Sequence, residues 1–464
     1  MTGVVAFLRI AGRPARTKPK INDQEDEGPR YSGIVSTLGV SVAGLTIGVH
    51  PPSLIEPTEV IVSNWADLTN GKRIKHLRGS DLTQQGLAEA AGVSLALVQK
   101  AEQDRGELSV GSLLKLAGAL KTDVAVILGQ QAPRRGMNRD DRAALRHLSD
   151  AVHDSALGEW EGVDDPSTLD ELAKARDLAW AAYWASDTAK VSSLASKVLM
   201  EGQVRYDSST GVERERLALV LASTYRVAAS CANGFGQRDL ALSALTSAKL
   251  LAREAADPVV MALLESTLSW IYLRGAKLPR AVAVAERAAL AIEPTFSRSS
   301  RPEMLAYGRL MISAAVAASR REDESMADDY ISQAHAAAAR LGRDEKLYGT
   351  SFGPTAAKTE AVGIHVALKN YGRALQLASQ PDMKQLPRSM SKVARNRYKL
   401  DVALAQCAVG LYDQAGDTLI EVGLDAPDWV KHQALPGVIG NRLAKVSTTR
   451  VRNISELIGV PLIA

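Results

Sequence analysis

Along most of its length the chain repeats one pattern: apolar residues at every third or fourth position, then a short polar break. That period predicts amphipathic helices rather than strands. From about residue 166 the helices come in pairs. ERLALVLASTYRVAASCAN is followed by the turn NGFGQ and then RDLALSALTSAKLLAREAAD. PVVMALLESTLSWIYLRGAKL is followed by PRAVAVAERAALAI, and VARNRYKLDVALAQCAVG by LYDQAGDTLIEVGLDAP. The turn signature "Gly/Asn–x–apolar–x–x–Ala" recurs in GAKLPRAVAVA, KNYGRALQLA and GLYDQAGDTL. Helix pairs at a period of roughly 35–45 residues, with no strands, predict an α-solenoid over 166–464. Its last helices (428–464) are expected to cap the array, since an uncapped end leaves apolar surface in water.

The pattern differs upstream. Residues 64–129 hold short helices with sharp punctuation: Asn64–Arg78, Gln84–Ala91 capped by Thr83, Leu95–Gln103 capped by Ser94, a fourth opened by Ser109, and a last one ending at Gly129. Thr and Ser hydroxyls accept the orphan N–H groups of a first turn. Gly92 is placed to end the second helix in the left-handed conformation. Residues 130–165 read as a basic linker (Arg134, Arg135, Arg139, Arg142, Arg146) grading into a connecting helix.

Residues 1–63 show no sustained period and predict a poorly structured extension. Within them, 31–50 (YSGIVSTLGVSVAGLTIGVH) carries no Asp, Glu, Lys or Arg. Its length could span a bilayer. Gly, Ser and Thr dilute its apolar drive, so no membrane role is expected. Val60 and Val62 are alternative start positions just before the first convincing helix.

Composition adds exclusions. Aromatics are 5% and the net charge is +4, so no global polybasic character announces nucleic acid; a local basic face would be enough. The two cysteines, Cys231 and Cys407, lie in apolar helical contexts without metal or disulfide spacing, which fits the cytoplasm. The seven histidines are dispersed. No nucleophile–base set, carboxylate pair or phosphate loop is present, so neither enzyme, cofactor nor metal is expected.

The segment Leu82-Thr83-Gln84-Gln85-Gly86-Leu87-Ala88-Glu89-Ala90-Ala91-Gly92-Val93-Ser94, with Val98 and Glu102 beyond it, resembles the Cro/cI-type (XRE-family) helix-turn-helix. The resemblance implies a five-helix, lambda-repressor-like DNA-binding domain over 64–129 in an all-α protein. It pairs an arginine of the first helix with the glutamate ending the third, here Arg78 with Glu102. It places Gln84 on phosphate and Ser94 at the cap and phosphate. It sets Leu95, Ala96, Gln99 and Lys100 toward bases and Arg105 on the backbone. Leu95 and Ala96 offer no hydrogen bond, so they are expected to pack on thymine methyl groups. Few polar readers implies weak discrimination by a monomer, hence a homodimer on a two-fold operator of double-stranded DNA.

The remainder resembles the tetratricopeptide-like (TPR) domains that follow such heads in bacterial regulators. In architecture the whole is similar to Rap/Rgg/PlcR-type peptide sensors. That implies a transcription regulator whose repeats dimerise and sense a peptide, small molecule or protein. Arg226, Asn233, Trp270 and Arg274 lie on first helices of pairs and could clamp a peptide's backbone or carboxylate. The alternative is an interaction scaffold with a vestigial helix-turn-helix, which the apolar 95–98 stretch favours.

Overall fold

The computed structural model describes residues 68–79, 82–106, 108–128, 139–158, 163–295, 299–388, 390–430, 433–446 and 454. All belong to a unit running from Glu56 to Ala464. The apolar run 31–50, the alternative starts and residues 130–138 of the basic linker lie outside them. The described chain is overwhelmingly helical, and among the described residues no helix is long and apolar enough to cross a membrane.

The head comprises α1 (Asn70–Arg78), α2 (Gln84–Ala91), α3 (Leu95–Glu102), α4 (Val110–Ala119) and α5 (Val124–Ile127). Each of the first four is opened by a hydroxyl. Thr69, Thr83, Ser94 and Ser109 accept from the backbone N–H of Lys72, Gly86, Leu97 and Ser112. The first helix was expected to run through from Asn64. Instead Thr69 is extended, at φ −69° and ψ 161°, and opens a helix at Asn70. Gly92 takes the left-handed conformation (φ 61°, ψ 42°) that lets α2 turn into α3. Ile74, Leu87, Val98, Leu113, Leu116 and Ile127 form the centre of the head core. Arg73, 1% exposed, donates to the Ile127 carbonyl and ties α1 to the last helix.

The body opens with α6 (Arg139–Leu157). It then runs in pairs: α7 (Leu169–Trp184) with α8 (Thr188–Ser208), α9 (Gly211–Gly234) with α10 (Arg238–Glu254), α11 (Pro258–Arg274) with α12 (Leu278–Ala291), and α13 (Arg301–Arg320) with α14 (Glu324–Leu341). After a hairpin of β1 (Glu345–Leu347) and β2 (Thr350–Phe352) come α15 (Pro354–Ala367) and α16 (Tyr371–Ala378). Then follow α17 (Pro381–Lys384), α18 (Lys392–Ala408), α19 (Tyr412–Asp425), α20 (Pro427–Val430) and α21 (Ala434–Ala444).

First helices of successive pairs stack on one another: α7 on α9, α9 on α11, α11 on α13, α13 on α15 and α15 on α18. The turns inside the pairs share one design. A residue with positive φ stands at Ser186, Gly236, Ala276, Glu322, Lys369 and Gly410. The N–H of the residue after it returns to the helix: Asp187 to Ala182, Gln237 to Ala232, Lys277 to Tyr272, Asp323 to Ala318, Asn370 to His365, Leu411 to Gln406. This bond satisfies carbonyls that the helix end leaves open.

The connecting helix expected within 130–165 is α6, which buries Leu145, Leu148 and Val152 in the first body cluster. One expectation changes. The body was expected to be free of strands. The antiparallel pair Leu347↔Thr350 contradicts that, because Tyr348-Gly349 turns the chain back after only three residues of β1.

The head rests on the turn edge of the body. Asp123 pairs with Arg274 at 2.5 Å, and Arg238 donates to the Thr122 carbonyl and to that of Arg274. Gly118 lies so near Ala276 that an added Cβ would stand 2.7 Å from the alanine Cβ. A Cβ on Gly111 would lie 3.3 Å from the Arg320 carbonyl, and Val438 of α21 packs on the head core. Gly118→Val should therefore overpack this seam by about 1–3 kcal/mol. Hydrogen exchange should quicken over residues 110–127 and stay unchanged in α9–α14. Unchanged exchange at 110–127 would show that α4 does not rest on Ala276.

Candidate nucleic-acid interface

The head presents α2 and α3 as a pair joined by the tight Gly92 turn, and one residue holds the pair to α1. Glu102 ends α3 with a side chain only 3% exposed. Arg78 of α1 gives it Nε at 2.6 Å and Nη2 at 3.2 Å. Gln84 of α2 gives it Nε2 at 2.7 Å. Arg78 also donates to the Leu82 carbonyl at 2.6 Å, fixing the loop before α2. Burial opposes the charge on Glu102. The bonds from Arg78 and Gln84, helped by the charges of Arg78 and Lys75, outweigh it and hold the carboxyl below its ordinary range. The same bond to Glu102 raises Arg78 against the opposing effect of burial.

Two surfaces of α3 follow from its sequence. Val98 and Ala101 face the core, and Leu95 and Leu97 are half-buried against it. Ala96, Gln99, Lys100, Gln103 and Arg105 are exposed. With Gly106 they line a shallow depression of about 380 Å³. Ser94 is exposed, with its hydroxyl on Leu97 N–H at 3.2 Å.

Leu95 was expected to meet thymine methyls beside Ala96. The structure separates the two: Ala96 stands outward, while Leu95 packs on the head core. Gln84, expected on phosphate, spends one amide hydrogen on Glu102. An amide nitrogen carries two, so the second can still meet a DNA oxygen. Sequence reasoning missed Gln103. Its signal was available, because it lies one helical turn after Gln99 on the same face. Lys72 and Lys75 are exposed on α1 and add positive charge to the head.

Residues 74–127 match the helix-turn-helix family model. This segment is an XRE-type helix-turn-helix domain. At the level of that family it is a DNA-binding domain, followed here by a long helical region. No curated protein matches the chain. The helix-turn-helix domain keeps its exposed α3 face clear of the body, which holds α4 and the residues before α5.

The four residues expected to clamp a ligand do not share one open wall. Arg226 is 5% exposed and donates to the Tyr348 carbonyl and the Thr350 hydroxyl. Arg274 is paired with Asp123 of the head. Trp270 is half-buried on α11. Asn233 is fully buried, and among the described residues neither its Oδ1 nor its Nδ2 has a partner. The sequence shows that these residues ride on first helices; it does not show that the hairpin and the head reach two of them. Cys231 and Cys407 are both buried, and burial pushes the Cys231 thiol up to about 12.

Glu102→Gln keeps the shape but leaves Arg78 without its counter-charge. A loss of about 1.5–3 kcal/mol in head stability is expected, the range for hydrogen bonds to a charged group. The sign with pH follows from the lowered carboxyl. Its contribution is full above the ordinary glutamate value, about 4.3, and is lost as the pH falls through the lower folded value. Thermal melts of the wild type should lose more stability on acidification than those of Glu102→Gln, since Glu254, Glu345 and Asp425, also held low, titrate in both. Parallel acid limbs would remove Glu102 as the tie.

Proposed function

We propose that the chain is a sequence-specific transcription regulator of the cytoplasm and not an enzyme. In this reading the helix-turn-helix domain binds operator DNA. The body is a TPR-like solenoid that dimerises and senses a peptide, small molecule or protein. The observation that carries the reading is the two-sidedness of the head. One side is fastened to the body through Asp123 and Gly118, and the other offers Ala96, Gln99, Lys100, Gln103 and Arg105 outward. The stacked first helices and the repeated left-handed turns support the solenoid.

On DNA, Gln99 has the amide geometry for adenine and Lys100 reaches guanine or phosphate. Ala96 meets a thymine methyl group, Ser94 and Gln84 position the helices, and Arg105 meets the backbone. A reader with so few polar groups needs two copies, so the operator is a two-fold site with half-sites about one helical turn apart. The apolar 95–98 stretch was the main argument for a scaffold with a vestigial head. Leu95, Leu97 and Val98 pack toward the head core, which leaves Ala96 as the exposed apolar residue of that stretch and supports the DNA-binding reading.

Binding to upstream DNA of the chain's own gene should weaken steeply with salt, as phosphate neutralisation requires. One isolated half-site should bind much more weakly than the full site. Lys100→Ala should either lower the salt slope by about 1 or relax the preference at one base by about 1–3 kcal/mol. Salt-independent binding, or full affinity for a single half-site, would refute the dimeric reader.

A further inference from the structure

Arg226 occupies an unusual position. It sits on the face of α9 turned toward α7 and α11, 5% exposed, with its guanidinium 4.4 Å from the Trp180 ring. Among the described residues no carboxylate pairs with it. Its acceptors are neutral: the carbonyls of Tyr348 and Leu263 and the hydroxyl of Thr350. Both terminal nitrogens converge on that one hydroxyl oxygen, Nη1 at 3.0 Å and Nη2 at 2.9 Å. That is the end-on seat of the guanidinium fork, where a carboxylate would place two oxygens. Burial, with Arg309 nearby, pulls Arg226 down to about 9. Buried cations are ordinarily paired with anions, and this one is not.

The groups filling the seat belong to the β1–β2 tip. That tip is gripped from α7, far away in sequence. Trp184 donates to the Gly349 carbonyl at 2.7 Å, and a Cβ on Gly349 would stand 2.0 Å from the Trp180 ring. Arg176 lies 5.5 Å over the Tyr348 ring. The two turn residues have φ 45° (Tyr348) and φ 74° (Gly349). A two-residue turn with both φ positive favours Asn-Gly, and a tyrosine in the first place is strained. Strain kept in place by tertiary grip marks functional segments.

A second observation lies on the same helix face. Asn233 stands seven residues beyond Arg226, two turns and about 10 Å along α9. Among the described residues its buried amide has no partner on either atom. An unpaired donor and acceptor side by side suit one amide group of a ligand.

The geometry points to a ligand site on this face of α9 for a carboxylate-bearing molecule, seated on Arg226 with an amide toward Asn233, which the hairpin tip fills until the ligand displaces it. This deepens the sensing reading and rests on it only for its biological use. The carboxylate can belong to a peptide terminus or to a small organic acid. The tip is then an internal competitor, and loosening it must raise affinity, because apparent affinity falls with the fraction of competent sites.

The test uses the full chain and three probes: a pool of N-acetyl tetrapeptides as free acids, the same pool as C-terminal amides, and succinate. Hydrogen exchange at 345–352 and thermal shift are read for each. Faster exchange at the hairpin with a raised melting temperature is expected from free acids or succinate, and whichever acts names the source. Amides should do neither. Arg226→Lys, which keeps the charge but loses the fork, should weaken the effect about tenfold or more. Gly349→Ala, which unseats the tip, should strengthen it by about tenfold. Equal action by amides, no movement of the hairpin under any probe, or an unchanged response in both variants overturns the site. Salt-dependent DNA binding by the same preparation separates the outcomes: if it persists while the hairpin never moves, the site fails and the regulator reading stands. If DNA binding is absent and free acids move the hairpin, the reverse holds.

Discussion

The head depends on one buried carboxylate. Glu102 draws Arg78 from α1 and Gln84 from α2 onto the end of α3, so three helices share a single acceptor. Packing of Leu87, Ala88 and Val98 holds α2 and α3 together but is non-directional. A bidentate fork on a nearly dry carboxylate has a direction and a fixed reach. The exposed residues of α3 inherit their placement from it. Lys100 and Gln99 lie within one turn of Glu102, and their spacing relative to Gln84 is set by the bond between Gln84 and that same carboxylate.

The body contributes a different kind of order. Its turns repeat a left-handed residue followed by a backbone bond into the preceding helix. Several of these positions are not glycine, so the backbone bond, and not side-chain permissiveness alone, holds the shape. The stacked first helices then share a continuous layer of small residues. Ala218, Ala222 and Ala228 of α9, Ala314 and Ala317 of α13 and Ala357 of α15 are all buried. The low aromatic content is the signature of this close approach.

Much of this was legible beforehand because it is local. Caps at Thr83, Ser94 and Ser109, the Gly92 turn and the period-3.6 pattern are decided within a few residues. What was not legible depends on distant partners. Leu95 is apolar and sits where readers stand, and only the packed head shows its side leaning on the core. Arg274 looks like a groove residue on α11 until Asp123 is brought to it from 151 residues away. Arg226 is the same case, met by a hairpin whose strands are three residues each, too short for a period to show. The start of α1 moved from Asn64 to Asn70 because a threonine within the apolar pattern chose to cap.

The seam between head and body touches more than one repeat. Gly236 lies beside Asp123, Ala276 beside Gly118, and the end of α13 beside Gly111. These three points belong to successive turns along one edge of the array. A body held at three consecutive joints cannot change its pitch without shearing at least one footing. The head thus works as a splint across those joints: while it is seated they are stiff, and whatever bends them must first lift it.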